Sequence, residues 1–126
     1  MIIGIGTDIV DVERIRVSME RHGERFAGRI LDERELEIYR RAGNPAAFLA
    51  KRFAAKEAAA KAFGTGFRNG LSLRQIGISN NELGRPELTF SGRARELLAE
   101  QGVTHTFISL SDGREQAIAF VTFARQ

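Results

Sequence analysis

Residues 45–66 read PAAFLAKRFAAKEAAAKAFGTG and predict the longest helix of the chain. Proline is favoured in the first turn of a helix and glycine just after its end, so Pro45 marks the start and Gly64 the stop. Glu57 and Lys61 lie one helical turn apart, an arrangement that stabilises an exposed helix by only about 0.2–0.5 kcal/mol. On spacing alone, a plain surface ion pair is the simpler explanation of these two residues.

Shorter segments on both sides of this helix predict an α+β fold, with a mostly antiparallel sheet of short strands packed against one long helix and shorter helices. Before the long helix, we expect a strand at Ile2–Ile5, a turn at Gly6–Asp8, a helix from Asp11 to His22 and a helix at Asp32–Arg41. After it, we expect strands at 76–79 and 87–90, a helix at 91–101, and a hairpin of strands 106–111 and 115–123 about Asp112-Gly113.

The last strand, AIAFVTF at residues 117–123, is apolar on both faces. An antiparallel strand usually exposes one polar face to water. A helix is expected to cover one face, and a neighbouring subunit is a candidate for the other.

Composition limits the function more than it identifies it. The 126 residues fit a single domain, 1–126, and the absence of cysteine excludes disulfides, thiolate metal sites and cysteine nucleophiles. No apolar segment is long enough to span a membrane, so a cytoplasmic location is expected. The formal net charge of +3 and the pI near 9.9 suggest an anionic partner, which could be a nucleic acid, a phosphate ligand or an acidic protein.

A second segment places a carboxylate beside two glycines near the start of the chain. Residues 4–10 read GIGTDIV, and Asp8 could serve either as a turn residue or as a ligand. A dinucleotide-binding fingerprint would need a third glycine, which does not follow at the required place, and the chain has no Gly-Lys-Ser/Thr for a P-loop. Neither type of nucleotide motif explains this segment.

Together, GIGTDIV and the segment FAAKEAAAKAFGTG at residues 53–66 resemble the two signature motifs of the holo-acyl-carrier-protein synthases, the small phosphopantetheinyl transferases. These motifs are Gly-x-Asp near the start and Phe-x-x-Lys-Glu-Ala-x-x-Lys-Ala followed by Phe-Gly-Thr-Gly. The resemblance covers the whole chain. It implies a transferase of fatty acid biosynthesis that uses Mg²⁺, held by Asp8 and Glu57, and that assembles as a homotrimer with active sites between subunits.

The reaction that the resemblance implies is attack by a serine hydroxyl of an apo acyl carrier protein on the pantetheine-side phosphorus of coenzyme A. Adenosine 3′,5′-bisphosphate leaves, and the phosphopantetheine arm stays on the serine. Magnesium suits this chemistry because it takes hard oxygen ligands and commonly uses one or two carboxylates together with substrate phosphates.

Several further residues are candidates for binding coenzyme A. Lys61 can pair with a phosphate oxygen, and Arg52 is implied as a contact to the nucleotide end. Lys56, inside the helix motif, is either another phosphate contact or a solvent-facing residue. The remaining candidates lie in two glycine-containing turns: Gly64, Thr65 and Gly66 after the helix, where a simple helix cap is an alternative, and Arg85 and Pro86, where a plain hairpin connection is an alternative.

A basic stripe is predicted on the first helix. Arg14, Arg21 and Arg25 fall on one side at spacings of four and seven residues, with Ser18 between them. A solvated face is one interpretation, because glutamates interrupt the charge. The resemblance implies another, in which these arginines bind an acidic acyl carrier protein.

Two other functions compete with the transferase. The pI and the arginine-rich helices allow a nucleic-acid-binding module, although acidic residues are interleaved and no nucleic-acid-reading signature is present. The second is a protein that binds a nucleotide or coenzyme A without catalysis. One departure from the family pattern is the hairpin turn, where many relatives carry a histidine and this chain has Asp112.

Overall fold

Helix α4 (Pro45–Phe63) lies at the centre of the molecule, in a computed structural model that describes residues 1–126. The Asn44 side chain caps its start by accepting a hydrogen bond from the Ala47 amide at 3.2 Å, and Gly64 ends it with a left-handed φ of 81°. Twelve of its nineteen residues are buried, so the helix packs against neighbours on several sides. The bounds expected from Pro45 and Gly64 are confirmed.

A three-stranded antiparallel sheet covers one side of α4. Its order is β1 (Ile2–Asp11), β5 (Gln116–Ala124) and β4 (His105–Asp112), with β5 paired to both neighbours. The face toward α4 carries the buried residues of the last strand, Ala117, Ala119, Val121 and Phe123. The predicted hairpin about Asp112-Gly113 and the helical cover on one face of β5 are confirmed.

Strand β1 continues through Asp8, so the turn expected at Gly6–Asp8 is wrong. The two glycines serve close packing instead of chain reversal. A Cβ atom at Gly4 would lie 2.0 Å from the Ala62 carbonyl oxygen, and one at Gly6 would lie 1.9 Å from that of Ala58. Only glycine therefore lets β1 lie directly on α4, and this contact holds Asp8 at a fixed height along the helix.

Four shorter helices and a two-stranded antiparallel hairpin complete the fold. The helices other than α4 are α1 (Val12–His22), α2 (Glu24–Ile30), α3 (Glu33–Arg40) and α5 (Gly92–Glu100), and the hairpin joins β2 (Ile76–Asn80) to β3 (Pro86–Phe90). Helix α2 was not expected from the sequence. It has only seven residues, and it follows Gly23 after a break at a φ of 62°.

The outer face of the three-stranded sheet exposes large apolar side chains. Ile5 is 69%, Ile9 55%, Phe107 48% and Phe120 59% exposed, and they project from all three strands. No helix of the chain has both the length and the apolar character required to cross a bilayer.

Candidate active site

Asp8 and Glu57 line the same pocket, between strand β1 and helix α4. The pocket has a volume of about 470 Å³, and its wall also includes Arg14 and Phe53. Asp8 pairs with Ala119 across the sheet, which turns its side chain toward α4. The sequence-predicted pair of carboxylates is thus brought together, although it comes from a strand and a helix far apart in sequence.

Lys61 binds the Asp8 carboxylate, not the Glu57 carboxylate. Its Nζ lies 3.1 Å from Oδ1 of Asp8 and 2.9 Å from the carbonyl oxygen of Thr7. The Lys61 side chain is 55% exposed, whereas that of Asp8 is 18% exposed. The ammonium group therefore lies at the open edge of the site, where an incoming phosphate can reach it.

The pKa of Glu57 is raised above its ordinary value. Burial is the largest cause, the negative charge of Asp8 is the second, and the positive charge of Lys61 opposes both. Asp8 acts here as a like charge, which disfavours ionisation of Glu57. A cation placed between them would remove that repulsion.

Replacing Glu57 with glutamine is expected to raise the thermal stability of the metal-free protein at neutral pH. Because the folded pKa exceeds the unfolded value of 4.5, ionised Glu57 opposes folding above that pH and has no such effect below it. The variant should therefore melt at a higher temperature than wild type at pH ~7, and the difference should vanish below pH 4.5. A lower melting temperature of Glu57→Gln at neutral pH would contradict this account.

The ligand groups of the pocket fit magnesium better than a metal ion that takes all of its ligands from the protein. No group of three or more histidine, aspartate or glutamate side chains is positioned to hold a metal. Asp8 and Glu57 offer two hard oxygen ligands beside an exposed lysine, and magnesium commonly completes such a pair with water and substrate phosphates.

Arg52 and Lys56 lie on a different side of α4 and are buried against Glu35. Arg52 is 5% exposed and Lys56 is fully buried, so Lys56 is not solvent-facing. The Lys56 ammonium contacts Glu35 at 2.6 Å, and burial lowers its pKa more than Glu35 raises it. Its position leaves it no access to a bound phosphate.

A second pocket, of about 260 Å³, brings Arg52 together with the predicted glycine-proline turn. Lys51, Gly84, Pro86 and Asp112 also line it. Arg85 is exposed and borders a third pocket together with Pro86. The pockets around Asp8 and Arg52 share no residue within one chain, so the predicted metal and nucleotide contacts form two separate groups.

The segment Gly64–Gly66 follows α4, just beyond Lys61. Gly64 and Gly66 have φ values of 81° and 63°, and a Cβ atom at either would meet nothing within 4 Å. The Gly66 amide donates to the Ala60 carbonyl at 3.3 Å. The segment therefore closes the helix, and its open surroundings leave room for a ligand as well.

The predicted basic stripe is divided between two helices. Arg14 and Arg21 lie on α1, exposed and without an ion-pair partner, and Arg14 also borders the Asp8 pocket. Arg25 lies on α2, beyond the break at Gly23, so its expected place on the first helix is wrong. The docking surface proposed from sequence begins at the edge of the pocket.

Glu35 is the buried charge that sequence reasoning missed. It forms a capping box with Asp32 at the start of α3, and the pattern Asp-x-x-Glu in the sequence was a usable signal for that role. Its pairing with Arg52 and Lys56 from α4 had no sequence signal. Asp112 is the last residue of β4, before the hairpin turn, and its Oδ1 lies 3.9 Å from Nζ of Lys51.

Known proteins resemble the chain over nearly its whole length. The family model of the 4′-phosphopantetheinyl transferase superfamily matches residues 4–121. A holo-(acyl-carrier-protein) synthase of Halorhodospira halophila is 55% identical over 121 residues, covering 96% of each chain.

Solved structures agree with this match. The holo-(acyl-carrier-protein) synthase of Neisseria meningitidis has a TM-score of 0.94 and 47% identity, covering 99% of this chain and 100% of its own. That of Bacillus anthracis, solved in complex with coenzyme A (3′,5′-ADP), has a TM-score of 0.83 and 33% identity, covering 100% of this chain and 99% of its own. The chain therefore belongs to the 4′-phosphopantetheinyl transferase superfamily and, within it, to the holo-(acyl-carrier-protein) synthases.

Proposed function

We propose that the pocket between β1 and α4 is the site at which this protein transfers phosphopantetheine. The reaction moves the 4′-phosphopantetheine group from coenzyme A to a serine of apo acyl carrier protein, in support of fatty acid biosynthesis, and releases adenosine 3′,5′-bisphosphate. The observation that supports this site most is that Asp8 and Glu57 line one pocket and that the Lys61 ammonium contacts Asp8 at 3.1 Å.

Asp8 and Glu57 would hold a Mg²⁺ ion in this pocket. When bound, the ion supplies positive charge that attracts the pyrophosphate of coenzyme A and neutralises charge on the leaving phosphate. The close approach of β1 to α4, which Gly4 and Gly6 permit, fixes the backbone segments that carry the two carboxylates relative to each other before any ligand arrives. Such preorganisation favours the transition state because the strand and the helix need not move relative to each other during the reaction.

The other contacts to coenzyme A would come from both groups of basic residues. Lys61 is exposed next to Asp8 and can transfer its hydrogen bonds to a phosphate oxygen. Arg52, Arg85 and Pro86 would face the nucleotide end, and the open Gly64–Gly66 segment with Thr65 would bind phosphate through backbone amides. These assignments divide the substrate between two pockets.

The acyl carrier protein would dock on α1 and the start of α2. Arg14 borders the pocket, and Arg21 and Arg25 extend the positive surface away from it. A serine presented from an acidic carrier bound there would lie next to the carboxylate pair. Complementary charge speeds such an encounter and orients the partners.

We propose a homotrimer of single-domain chains, 1–126, in the cytoplasm. The outer face of the three-stranded sheet, with Ile5, Ile9, Phe107 and Phe120 exposed, offers the apolar surface that such an assembly would bury. Subunit contact through this sheet would allow a site to draw residues from two chains. Light scattering on the purified protein should give a mass three times the 14.0 kDa of one chain.

A mass-shift assay separates the transferase from its rivals. The protein is incubated with coenzyme A, Mg²⁺ and an apo acyl carrier protein, and the carrier is weighed by intact mass spectrometry. A gain of one phosphopantetheine per carrier is expected. Binding of coenzyme A without any mass gain would indicate a non-catalytic binding protein and would contradict the proposal.

A further inference from the structure

Glu35 is buried among hydrogen-bond donors from three parts of the fold. Its Oε1 accepts from the Asp32 amide at 3.1 Å and from the Lys56 ammonium at 2.6 Å. Its Oε2 accepts from Arg52 Nη1 at 3.1 Å and from the Ile78 amide at 3.1 Å. Since every partner is a donor, only an ionised carboxylate satisfies all of them.

Arg52 is held in one orientation by its contact with Glu35 and by further contacts with β2 and Phe48. Nη1 also donates to the Ile78 carbonyl oxygen, and Nη2 lies 3.5 Å from the Asn80 side-chain oxygen. The guanidinium carbon lies 4.6 Å from the centre of the Phe48 ring. The guanidinium is therefore restrained within its plane by hydrogen bonds and on one face by the Phe48 ring.

The fixed guanidinium still has donors to offer. It carries five N–H groups, of which three have partners within the chain, so two remain. The two are the N–H of Nε and the second N–H of Nη2. Nε has no partner in the chain, and since no side-chain nitrogen or oxygen is both fully buried and unpartnered, Nε has access to solvent. The surface available to them is the 260 Å³ pocket that Arg52 lines with Lys51 and Pro86.

We propose that Glu35 is a positioning residue for coenzyme A, because it orients the Arg52 guanidinium toward the nucleotide end of the substrate. The inference rests on the proposed function, in which Arg52 contacts that end. Glu35 does not touch the substrate. A planar guanidinium binds phosphate best when its fork is fixed in direction, so loss of Glu35 weakens nucleotide binding even while Arg52 keeps its charge.

The alternative role of Glu35 is purely structural, as the anchor of α4 to α3 and β2 through both cations. Lys56→Met distinguishes the two roles. It removes one of the two buried cations and retains the contact between Glu35 and Arg52. Both Glu35→Gln and Lys56→Met disturb the buried cluster, but only Glu35→Gln removes the charge that orients Arg52.

The test measures binding of adenosine 3′,5′-bisphosphate to the full chain by calorimetry with Mg²⁺ present. We expect Glu35→Gln to raise the dissociation constant of this nucleotide at least ~10-fold, since losing a hydrogen bond to a charged group typically costs roughly 10- to 100-fold in affinity. The dissociation constant of Lys56→Met should stay within ~2-fold of wild type. So should that of the matched control Glu33→Gln, an exposed residue on the same helix as Glu35, because substitutions outside a site usually have small effects. The KM of the carrier protein should be unchanged in all three variants.

Two results would overturn the inference. One is wild-type nucleotide affinity in folded Glu35→Gln; the other is an equal loss in Lys56→Met, which would trace the effect to the damaged core. If Glu35→Gln does not fold, Arg52→Lys is decisive, because it keeps a cation beside Glu35 but not the planar fork. Wild-type nucleotide affinity in Arg52→Lys would contradict the proposal. Turnover by wild type is measured separately, so failure of the proposed function itself would be recognised.

Discussion

Asp8→Asn and Glu57→Gln should each lower kcat/KM for phosphopantetheine transfer by at least ~100-fold, the scale seen when a preorganised charge-stabilising group is removed. Each amide keeps the size and shape of the side chain but removes the charge that would hold Mg²⁺. The transferred group is counted by intact mass of the carrier protein, with coenzyme A varied below and above its KM.

Stability and activity should change in opposite directions in Glu57→Gln. The metal-free variant should melt at a higher temperature than wild type at neutral pH, since burial and Asp8 raise the pKa of Glu57 and so disfavour its ionised form. The control Glu37→Gln, an exposed carboxylate on α3, should retain full activity. Activity of Asp8→Asn or Glu57→Gln within a few-fold of wild type would contradict the assignment of these two residues.

The double variant Arg14→Glu with Arg21→Glu should raise the KM of the acyl carrier protein by roughly 100-fold or more, because reversed charges repel an acidic partner on approach and in the complex. The KM of coenzyme A should change far less. Steady-state kinetics with each substrate varied in turn measures both values. The difference between wild type and variant should shrink at high salt, which screens charges at the surface.

A matched control removes the effect of net charge. Arg95→Glu with Arg125→Glu makes the same change in total charge at two exposed arginines on other parts of the surface. If the docking surface lies on α1, this control should leave the carrier-protein KM near wild type. Equal increases in both KM values for the Arg14 and Arg21 variant would count against docking there.

The parts of the fold that the sequence predicts well are those set by local signals. Pro45 and Gly64 define α4, and the Asp112-Gly113 pair defines the β4–β5 hairpin, because helix ends and tight turns depend on residues next to each other in sequence. Asp8 and Glu57 also follow from sequence, through their signature motifs. The structure adds that both line one pocket.

The errors come from interactions between distant segments. The local sequence around Gly6 predicts a turn because the residue that requires a glycine there, Ala58 with its carbonyl on α4, is distant in sequence. The spacing of arginines predicts Arg25 on the first helix because it continues through Gly23, although the helix itself ends there. Glu35 was missed as a buried charge because its partner Arg52 is seventeen residues away.

A crystal structure of the protein with coenzyme A and Mn²⁺, a magnesium substitute with an anomalous signal, would test the shared metal site most directly. We expect one anomalous peak bonded to carboxylate oxygens of both Asp8 and Glu57, with substrate phosphate completing its coordination. A peak bonded to neither carboxylate would contradict the account. So would the absence of any metal peak at Asp8 and Glu57 in a protein that still carries out the transfer.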